Sequence, residues 1–118
     1  MKPLLHAKSS ARKYGGNWED YIEIHNFLDS SKAHFPDMRH RAILHNSFGC
    51  YIAEKVFGYF ILNSEGKEVS VRDIAEDHII EDIGRIPTVQ DYLAGMPMYS
   101  WLGDGNRKKE PIEEINLD

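Results

Sequence analysis

The segment SVRDIAEDHIIEDIG, residues 70–84, decides the fold because it marks both ends of one helix. Ser70 and Asp73 have the spacing of a capping box, with Asp in place of the usual Glu. Gly84 stands where helices commonly end on a glycine. The apolar residues in between recur at helical spacing, and His78 lies on the same stripe. The segment therefore predicts a helix that carries a histidine on its apolar face.

Two longer helical patterns precede this segment. Asn17 and Asp20 predict the start of a helix whose apolar residues run at helical spacing over residues 18–32. Pro36-Asp37 predicts the start of the next, because proline is tolerated in the first turn and an early Asp suits the positive end of the helix dipole. That pattern ends at Gly58. The loop of a few residues between the two helices favours an antiparallel pair.

Shorter elements complete the chain. Residues 4–16 predict an ordered arm or short helix that stops at Gly15-Gly16. Residues 59–62 and 68–71 flank a turn-rich segment, which indicates a β-hairpin, and residues 88–94 predict a short capped helix. The predicted fold class is mainly α (α+β), a compact bundle of three to four helices with one short β-hairpin.

The length of 118 residues is about that of one domain. We expect a single globular domain over residues 1–102 and a polar, flexible C-terminal tail over residues 103–118. The core should come from the three longer helices. Aromatic side chains are expected to seal it, namely Trp18, Phe48, Phe57, Tyr92 and Trp101.

Charge and cysteine content exclude several classes of protein. The net charge of −5 argues against general coating of nucleic acid, and sequence-specific reading of DNA is not expected. Residues 1–41 hold seven Lys/Arg and five Asp/Glu, and residues 42–118 hold seven and fourteen, so the first third is the better partner for an anion. With Cys50 alone, no internal disulfide can form. No stretch approaches the ~20 apolar residues of a membrane span, and we expect a cytoplasmic protein.

Three histidines on apolar stripes are the main functional signal. Burying an imidazole without a partner costs about 1–3 kcal/mol. His25, His45 and His78 each come from a different predicted helix. With Asp82 or Glu81 as an oxygen donor they predict a divalent-metal site suited to Zn, Mn or Fe. His78 and Asp82 lie four residues apart on one helix face, and Glu81 is the candidate catalytic general base.

The alternative is that these histidines are structural. Each imidazole would then donate one N–H to a carbonyl or carboxylate inside the core, or would line a pocket without binding metal. His34 and His40 are expected at the surface or as loop contacts, and Cys50 as a small core residue.

Basic residues suggest where an anion would bind. Lys8, Arg39 and Arg41 could hold a phosphate or nucleotide, since arginine side chains and helix N-termini are good partners for anions. The alternative is a solvated basic loop that pairs with the acidic second half of the chain.

Four strings carry a resemblance to a known group of proteins. They are LLHAKSSA at residues 4–11, IHNFLDSSK at 24–32, RHRAILHN at 39–46 and VRDIAEDH at 71–78. The chain resembles a family of small uncharacterised proteins of bacteria and their phages, over residues 4 to about 95. The resemblance implies a bacterial or phage origin and a self-contained domain, and it assigns no catalytic residue.

Two functional hypotheses follow. The first is a small metal-binding protein, in which a metal-dependent hydrolase would act on a phosphorylated or nucleotide-like small molecule. The second is a non-catalytic protein-interaction module, either a homodimer or a binder of another protein, with structural buried histidines. Stoichiometric metal distinguishes the two, because only the first requires it.

Overall fold

The chain folds as six α-helices and one β-hairpin within residues 1–103, the part that our computed structural model describes. The helices are α1 Pro3–Tyr14, α2 Ile22–Leu28, α3 Arg41–Leu44, α4 Ser47–Phe57, α5 Val71–Ile83 and α6 Val89–Leu93. Short 3-10 turns occupy Trp18–Asp20, Ser30–Ala33, Met38–His40 and Ser100–Leu102. Strands β1 Phe60–Leu62 and β2 Glu68–Ser70 pair antiparallel. The predicted class, mainly α with a short hairpin, is confirmed.

Local signals placed the ends of α5 and α6 correctly. The Ser70 hydroxyl accepts the N–H of Asp73 at 3.1 Å. Gly84 adopts a left-handed conformation with φ of 78° and donates its N–H to Ile80. Thr88 caps α6 with the reciprocal contacts of a capping box. These contacts lie within one helical turn, so the sequence alone specifies them.

The predicted helix over residues 18–32 is divided into three parts. A 3-10 turn, α2 and a second 3-10 turn follow each other there. The Asp20 carboxylate accepts the N–H of Asn17 and also the N–H and hydroxyl of Ser64 in the hairpin loop. At the other end, the Ser30 hydroxyl donates to the carbonyl of Phe27. Such side-chain hydrogen bonds compete with regular helix geometry. Because α2 ends at Leu28, Asp29 lies between α2 and the second 3-10 turn.

The predicted helix over residues 36–58 is also interrupted, at His45 and Asn46. His45 leaves helical geometry with φ of −85° and ψ of 61°. Asn46 then caps α4 by accepting the N–H of Gly49 at 2.7 Å. Met38, which the predicted apolar stripe included, lies in the 3-10 turn before α3 and is 68% exposed. The expectation of one continuous helix was wrong because a polar side chain restarts the helix midway.

The core lies where α1, α2, α4 and α5 pack together. Its largest fully buried apolar side chains are Tyr21, Ile24, Leu28, Ile74 and Ile79. On α4 the buried residues are the small Gly49, Cys50 and Ala53, which permit close packing. The predicted burial of Cys50 is confirmed, and burial raises the pKa of its thiol to about 11.

The predicted aromatic seal is only partly present. Trp18, Phe48 and Trp101 are exposed. Trp18 and Trp101 lie in short 3-10 turns, and Phe48 lies in the first turn of α4, directly after the break that the sequence did not predict. Phe57 packs against the core, and the half-buried Tyr92 donates its hydroxyl to the carbonyl of His45 at 2.9 Å. Among the described residues, no helix is both long and apolar enough to cross a membrane. The predicted tail lies outside the described residues, apart from Gly103.

Candidate metal centre

Two histidines and two aspartates meet between α2, α3 and α5. We call Asp29, His45, His78 and Asp82 the Asp/His cluster. One ligand atom from each residue lies within 4.8 Å of those of the other three. The side chains of Asp29 and Asp82 are only 6% and 2% exposed, and both imidazoles are fully buried. This buried group could hold a metal ion.

The distances within the Asp/His cluster resemble those of a coordination polyhedron. His45 Nε2 lies 2.8 Å from Asp82 Oδ2 and 3.5 Å from Asp29 Oδ1. His78 Nε2 lies 3.2 Å from Asp29 Oδ1 and 3.3 Å from Asp82 Oδ2. A tetrahedral ion with bonds of about 2.0 Å separates its ligand atoms by about 3.3 Å. Small adjustments would therefore bring these four atoms into coordinating positions.

Local structure places each member of the cluster. Asp29 is the first residue after α2, and His45 is the first after α3. His78 and Asp82 lie one turn apart on α5, so their side chains share one face. Two of the candidate ligands thus depend on where helices end, and the other two lie on a regular helix.

A hydrogen-bonded chain lies behind His78. His78 Nδ1 lies 2.8 Å from His25 Nδ1, and His25 Nε2 lies 2.8 Å from the Ser10 hydroxyl. If His78 Nδ1 is protonated, its N–H donates a hydrogen bond to His25 Nδ1. His25 then carries its own proton on Nε2 and donates that N–H to the Ser10 hydroxyl. This arrangement leaves His78 Nε2 facing the two aspartates. Outer contacts of this type usually orient the histidine ligands of metals.

His6 contacts the same region from α1. Its ring stacks on His78 with centroids 3.8 Å apart. Its Nε2 lies 3.0 Å from Asp82 Oδ1, the oxygen that faces away from His45 and His78, and its Nδ1 lies 2.8 Å from Glu81. Glu81 also accepts a hydrogen bond from Ser9. His6, His25 and His78 form a second group of converging ligand atoms, the three-histidine group.

Burial and neighbouring charges set the protonation of the Asp/His cluster. Burial lowers the pKa of His45 to about 4, although the hydrogen bond to Asp82 acts in the opposite direction. Burial alone would raise the pKa of both carboxyl groups, but hydrogen bonds with His78 and further contacts outweigh it, and both pKa values are lowered. For His78, the contacts with the two aspartates outweigh burial, so its pKa is raised. The site thus combines two carboxylates with a neutral His45.

The metal-free chain is expected to be most stable near pH 6.5. Burial lowers the pKa of His25 to about 3 and that of His45 to about 4, so below pH 6.5 the unfolded chain takes up protons that the folded chain does not. Each of these two histidines then lowers the free energy of unfolding by up to about 1.4 kcal/mol for every unit by which the pH falls below 6.5. The raised pKa of His78 adds stability below pH 6.5 that is lost as the pH rises through that pKa. Urea unfolding at about pH 5, 6.5 and 8 measures this.

A free energy of unfolding that stays constant from pH 6.5 down to pH 5 would contradict this account. The variant His34→Ala is the control, because His34 is exposed and its removal should leave the pH profile unchanged.

A cleft of about 560 Å³ lies next to Arg41 and Lys32, and its lining residues do not include the four residues of the Asp/His cluster. Lys2, Lys32, Asp37, His40 and Arg41 are among its lining residues. Arg41 Nη2 lies 3.9 Å from Asp82 Oδ1, and Lys32 Nζ lies 3.8 Å from Asp29 Oδ2. The cleft therefore adjoins the cluster on the side of the outer carboxylate oxygens.

The three predicted anion-binding residues are not brought together. Arg41 lines the cleft, whereas Arg39 is exposed and pairs with Asp37 at 2.8 Å. Lys8 is exposed on α1 and does not line this cleft. Only Arg41 is thus placed beside the Asp/His cluster.

Comparison with known proteins identifies the family and no activity. Residues 1–102 match the family model described as "Domain of unknown function (DUF6915)". The chain belongs to this family. The expectation of an uncharacterised family is confirmed, and the bacterial or phage origin stays a prediction. No curated protein and no solved structure matches the chain. The match includes every residue of the Asp/His cluster and of the three-histidine group.

The three histidines singled out from the sequence do converge. The ring centroids of His25 and His45 lie 5.1 Å and 4.9 Å from that of His78. Only His45 and His78 share the Asp/His cluster with Asp82, and His25 lies behind His78. Glu81 lies outside both groups of converging ligand atoms.

Two residues beside the three predicted histidines, Asp29 and His6, were not predicted as part of the site. Asp29 follows His25 at the spacing that separates Asp82 from His78, and this repeated His-x-x-x-Asp pattern was the available signal. His6 lay in a segment predicted only as an arm or short helix. His40, expected at the surface or as a loop contact, is buried, and its Nδ1 lies 3.0 Å from the Ser31 hydroxyl in the segment between α2 and α3. His34 is exposed as expected.

Proposed function

We propose that this chain binds one divalent transition-metal ion through the Asp/His cluster. The observation that carries the proposal is the convergence of four ligand atoms from Asp29, His45, His78 and Asp82. Zn²⁺, Mn²⁺ and Fe²⁺ all accept such a mixture of imidazole and carboxylate ligands.

Burial supports a cation at this position. Two carboxylates that are almost wholly buried carry a large desolvation cost unless positive charge compensates them. His78 supplies one positive charge when protonated, and the N-terminal ammonium of Met1 donates to Asp82 Oδ1 at 2.9 Å. Arg41 and Lys32 stay beyond hydrogen-bonding distance, so in the described part of the chain Asp29 has no full positive charge of its own within that distance other than His78. The Asp29 Oδ2 atom is buried and has no hydrogen-bond partner among the described residues. A divalent ion would replace the His78 Nε2 proton and neutralise both carboxylates.

The activity we propose is metal-assisted hydrolysis of a small phosphorylated or nucleotide-like molecule. When held by Asp29, His45, His78 and Asp82, a divalent ion would supply a nucleophile at neutral pH, because it lowers the pKa of water. Hydrolysis would form a bond from the water oxygen to phosphorus and break the bond from phosphorus to the alcohol oxygen. A carboxylate of the chain would take the proton of the water and pass it to the leaving oxygen. Asp29 is the candidate base within the cluster, because its Oδ2 atom has no hydrogen-bond partner among the described residues, and the same role for Glu81 stays a prediction.

The second candidate function is a non-catalytic interaction module, as a homodimer or with another protein. Several large apolar side chains on α4 and the hairpin are exposed, namely Phe48, Tyr51, Val56, Phe60 and Leu62. Exposed apolar surface of this type often marks a protein interface. In this case the histidines and aspartates would satisfy one another by hydrogen bonds alone.

Metal content tests the proposal. We expect one divalent ion per chain in untagged protein purified without chelators, measured by plasma mass spectrometry. Asp82→Asn, which keeps the shape of the side chain but removes its charge, should lose the ion. His34→Ala should retain it, because His34 is exposed.

Activity is tested on the same preparations. The metal-loaded protein should hydrolyse p-nitrophenyl phosphate, and the rate should fall to background in Asp82→Asn. Absence of metal after loading with Zn²⁺, Mn²⁺ or Fe²⁺ would overturn the metal proposal. It would also favour the interaction module, whereas metal without hydrolysis of a panel of phosphate esters would support the metal site and overturn the proposed hydrolysis.

A further inference from the structure

We infer that the cleft beside the Asp/His cluster binds a phosphate group, with Arg41 as its principal donor. The inference rests on the proposed function in taking this phosphate to be that of the substrate. It replaces the predicted combination of Lys8, Arg39 and Arg41 with a site that the fold assembles from different segments.

The state of Arg41 is the first argument. Its side chain is 20% exposed, and its Nε atom is buried without a hydrogen-bond partner among the described residues. Its Nη2 lies 3.9 Å from Asp82 Oδ1, which is too far for a hydrogen bond. The guanidinium of Arg41 is therefore not paired at hydrogen-bonding distance with a carboxylate of the described residues, although the side chain lines the cleft and is partly exposed. A guanidinium presents paired N–H groups that match the oxygens of a phosphate, so Arg41 is a suitable donor to an oxyanion in the cleft.

The charge of the cleft is the second argument. Lys2 and Lys32 line it together with Arg41, and Asp37 is the carboxylate among its lining residues. Both oxygens of Asp37 accept hydrogen bonds from Arg39, at 2.8 to 3.2 Å. Since Arg39 largely neutralises Asp37, the cleft presents an excess of positive charge to an entering ligand.

Position and size form the third argument. Arg41 and Lys32 each approach the outer oxygen of a carboxylate in the Asp/His cluster. The volume of about 560 Å³ accommodates a phosphate with a small organic group attached. A metal ion in the cluster would offset the charge of Asp29 and Asp82, so phosphate should bind more tightly to metal-loaded protein than to metal-free protein.

The test is calorimetric titration of inorganic phosphate into the full chain, with and without metal. We expect Arg41→Gln to weaken phosphate binding by about tenfold or more, because hydrogen bonds to charged groups are lost. The metal content of this variant should stay at one ion per chain. Arg85→Gln is the matched control, since Arg85 is exposed and pairs with Asp91 outside the cleft. Lys32→Gln is the second cleft variant, should Arg41→Gln fail to fold.

The outcomes separate this inference from the metal proposal. Phosphate binding that is absent, or equal in wild type and both cleft variants, overturns the phosphate site even if metal binds. Phosphate binding that depends on Arg41 in a protein that takes up no metal supports the phosphate site and overturns the metal proposal. An equal loss in Arg85→Gln would show that only overall charge matters, which also overturns the inference.

Discussion

Replacing His78 with alanine is expected to abolish metal binding. His78 is the one residue common to the Asp/His cluster and the three-histidine group, so its loss removes a ligand from either set. Changes to outer contacts of a metal typically cost 10–100-fold in affinity. We expect the loss of a direct ligand to lower the metal affinity by more than about 100-fold. Calorimetric titration of metal-free protein with Zn²⁺ measures this affinity.

Two further variants show which set of ligands is used. His45→Ala should lose the metal as completely as His78→Ala, because His45 belongs only to the Asp/His cluster. His25→Ala should still bind one ion, with affinity weakened by about 10–100-fold, since His25 only orients His78. His34→Ala should match the wild type. The reverse pattern, in which His25 is essential and His45 dispensable, would move the ion to the three-histidine group.

The folding of these variants needs an independent check, because each truncation opens space in a packed interior. Far-UV circular dichroism should retain the helical signal in His45→Ala and His25→Ala. Asp82→Asn provides an isosteric alternative, which removes a ligand charge without opening a cavity. Metal retained at wild-type affinity by folded Asp82→Asn would contradict the assignment of the site.

The second large effect is expected from Gly49→Ala. A Cβ atom at Gly49 would lie 1.8 Å from the carbonyl oxygen of Leu44, which is backbone and cannot move aside alone. The break between α3 and α4 therefore requires glycine at this position. We expect the free energy of unfolding to fall by about 3 kcal/mol, at the upper end for inserting one methyl group into a packed site. Urea unfolding followed by circular dichroism measures the loss.

The same substitution should also weaken metal binding, since the break positions His45 as the residue following α3. Gly95→Ala is the matched control, because a Cβ atom there meets no other atom within 4 Å and the backbone is not left-handed. Its unfolding free energy should stay within about 0.5 kcal/mol of wild type. Equal stability of Gly49→Ala and wild type would show that α3 and α4 can join without the observed break.

Features that depend on local interactions were predicted more accurately than features that depend on contacts between distant segments. The helix over Val71–Ile83, with its cap at Ser70 and its end at Gly84, was predicted to within a residue. The interruption at His45 was missed, because Asn46 could equally have faced solvent within a continuous helix. One continuous helix and two helices with a break at His45 both place apolar residues at helical spacing. Only the packing of α4 against α5 distinguishes the two structures.

The candidate site shows the same division. His78 and Asp82 were paired in advance because four residues on a helix always share a face. Asp29 was overlooked although it follows His25 at the same spacing. His6 was overlooked because nothing near it in sequence indicates that α1 packs against α5, where Asp82 receives its Nε2 contact.

By itself, the sequence determined the helical class, the ends of α5 and α6, the hairpin and the pairing of His78 with Asp82. Each of these depends on contacts between residues at most a few positions apart, or on hydrophobic periodicity. Only the tertiary structure decided that Asp29 and His45 join them, that His25 supports His78 from behind, and that Arg41 rather than Lys8 or Arg39 faces the cluster. Those choices depend on where helices stop and how they pack, which are set by contacts between segments distant in the chain.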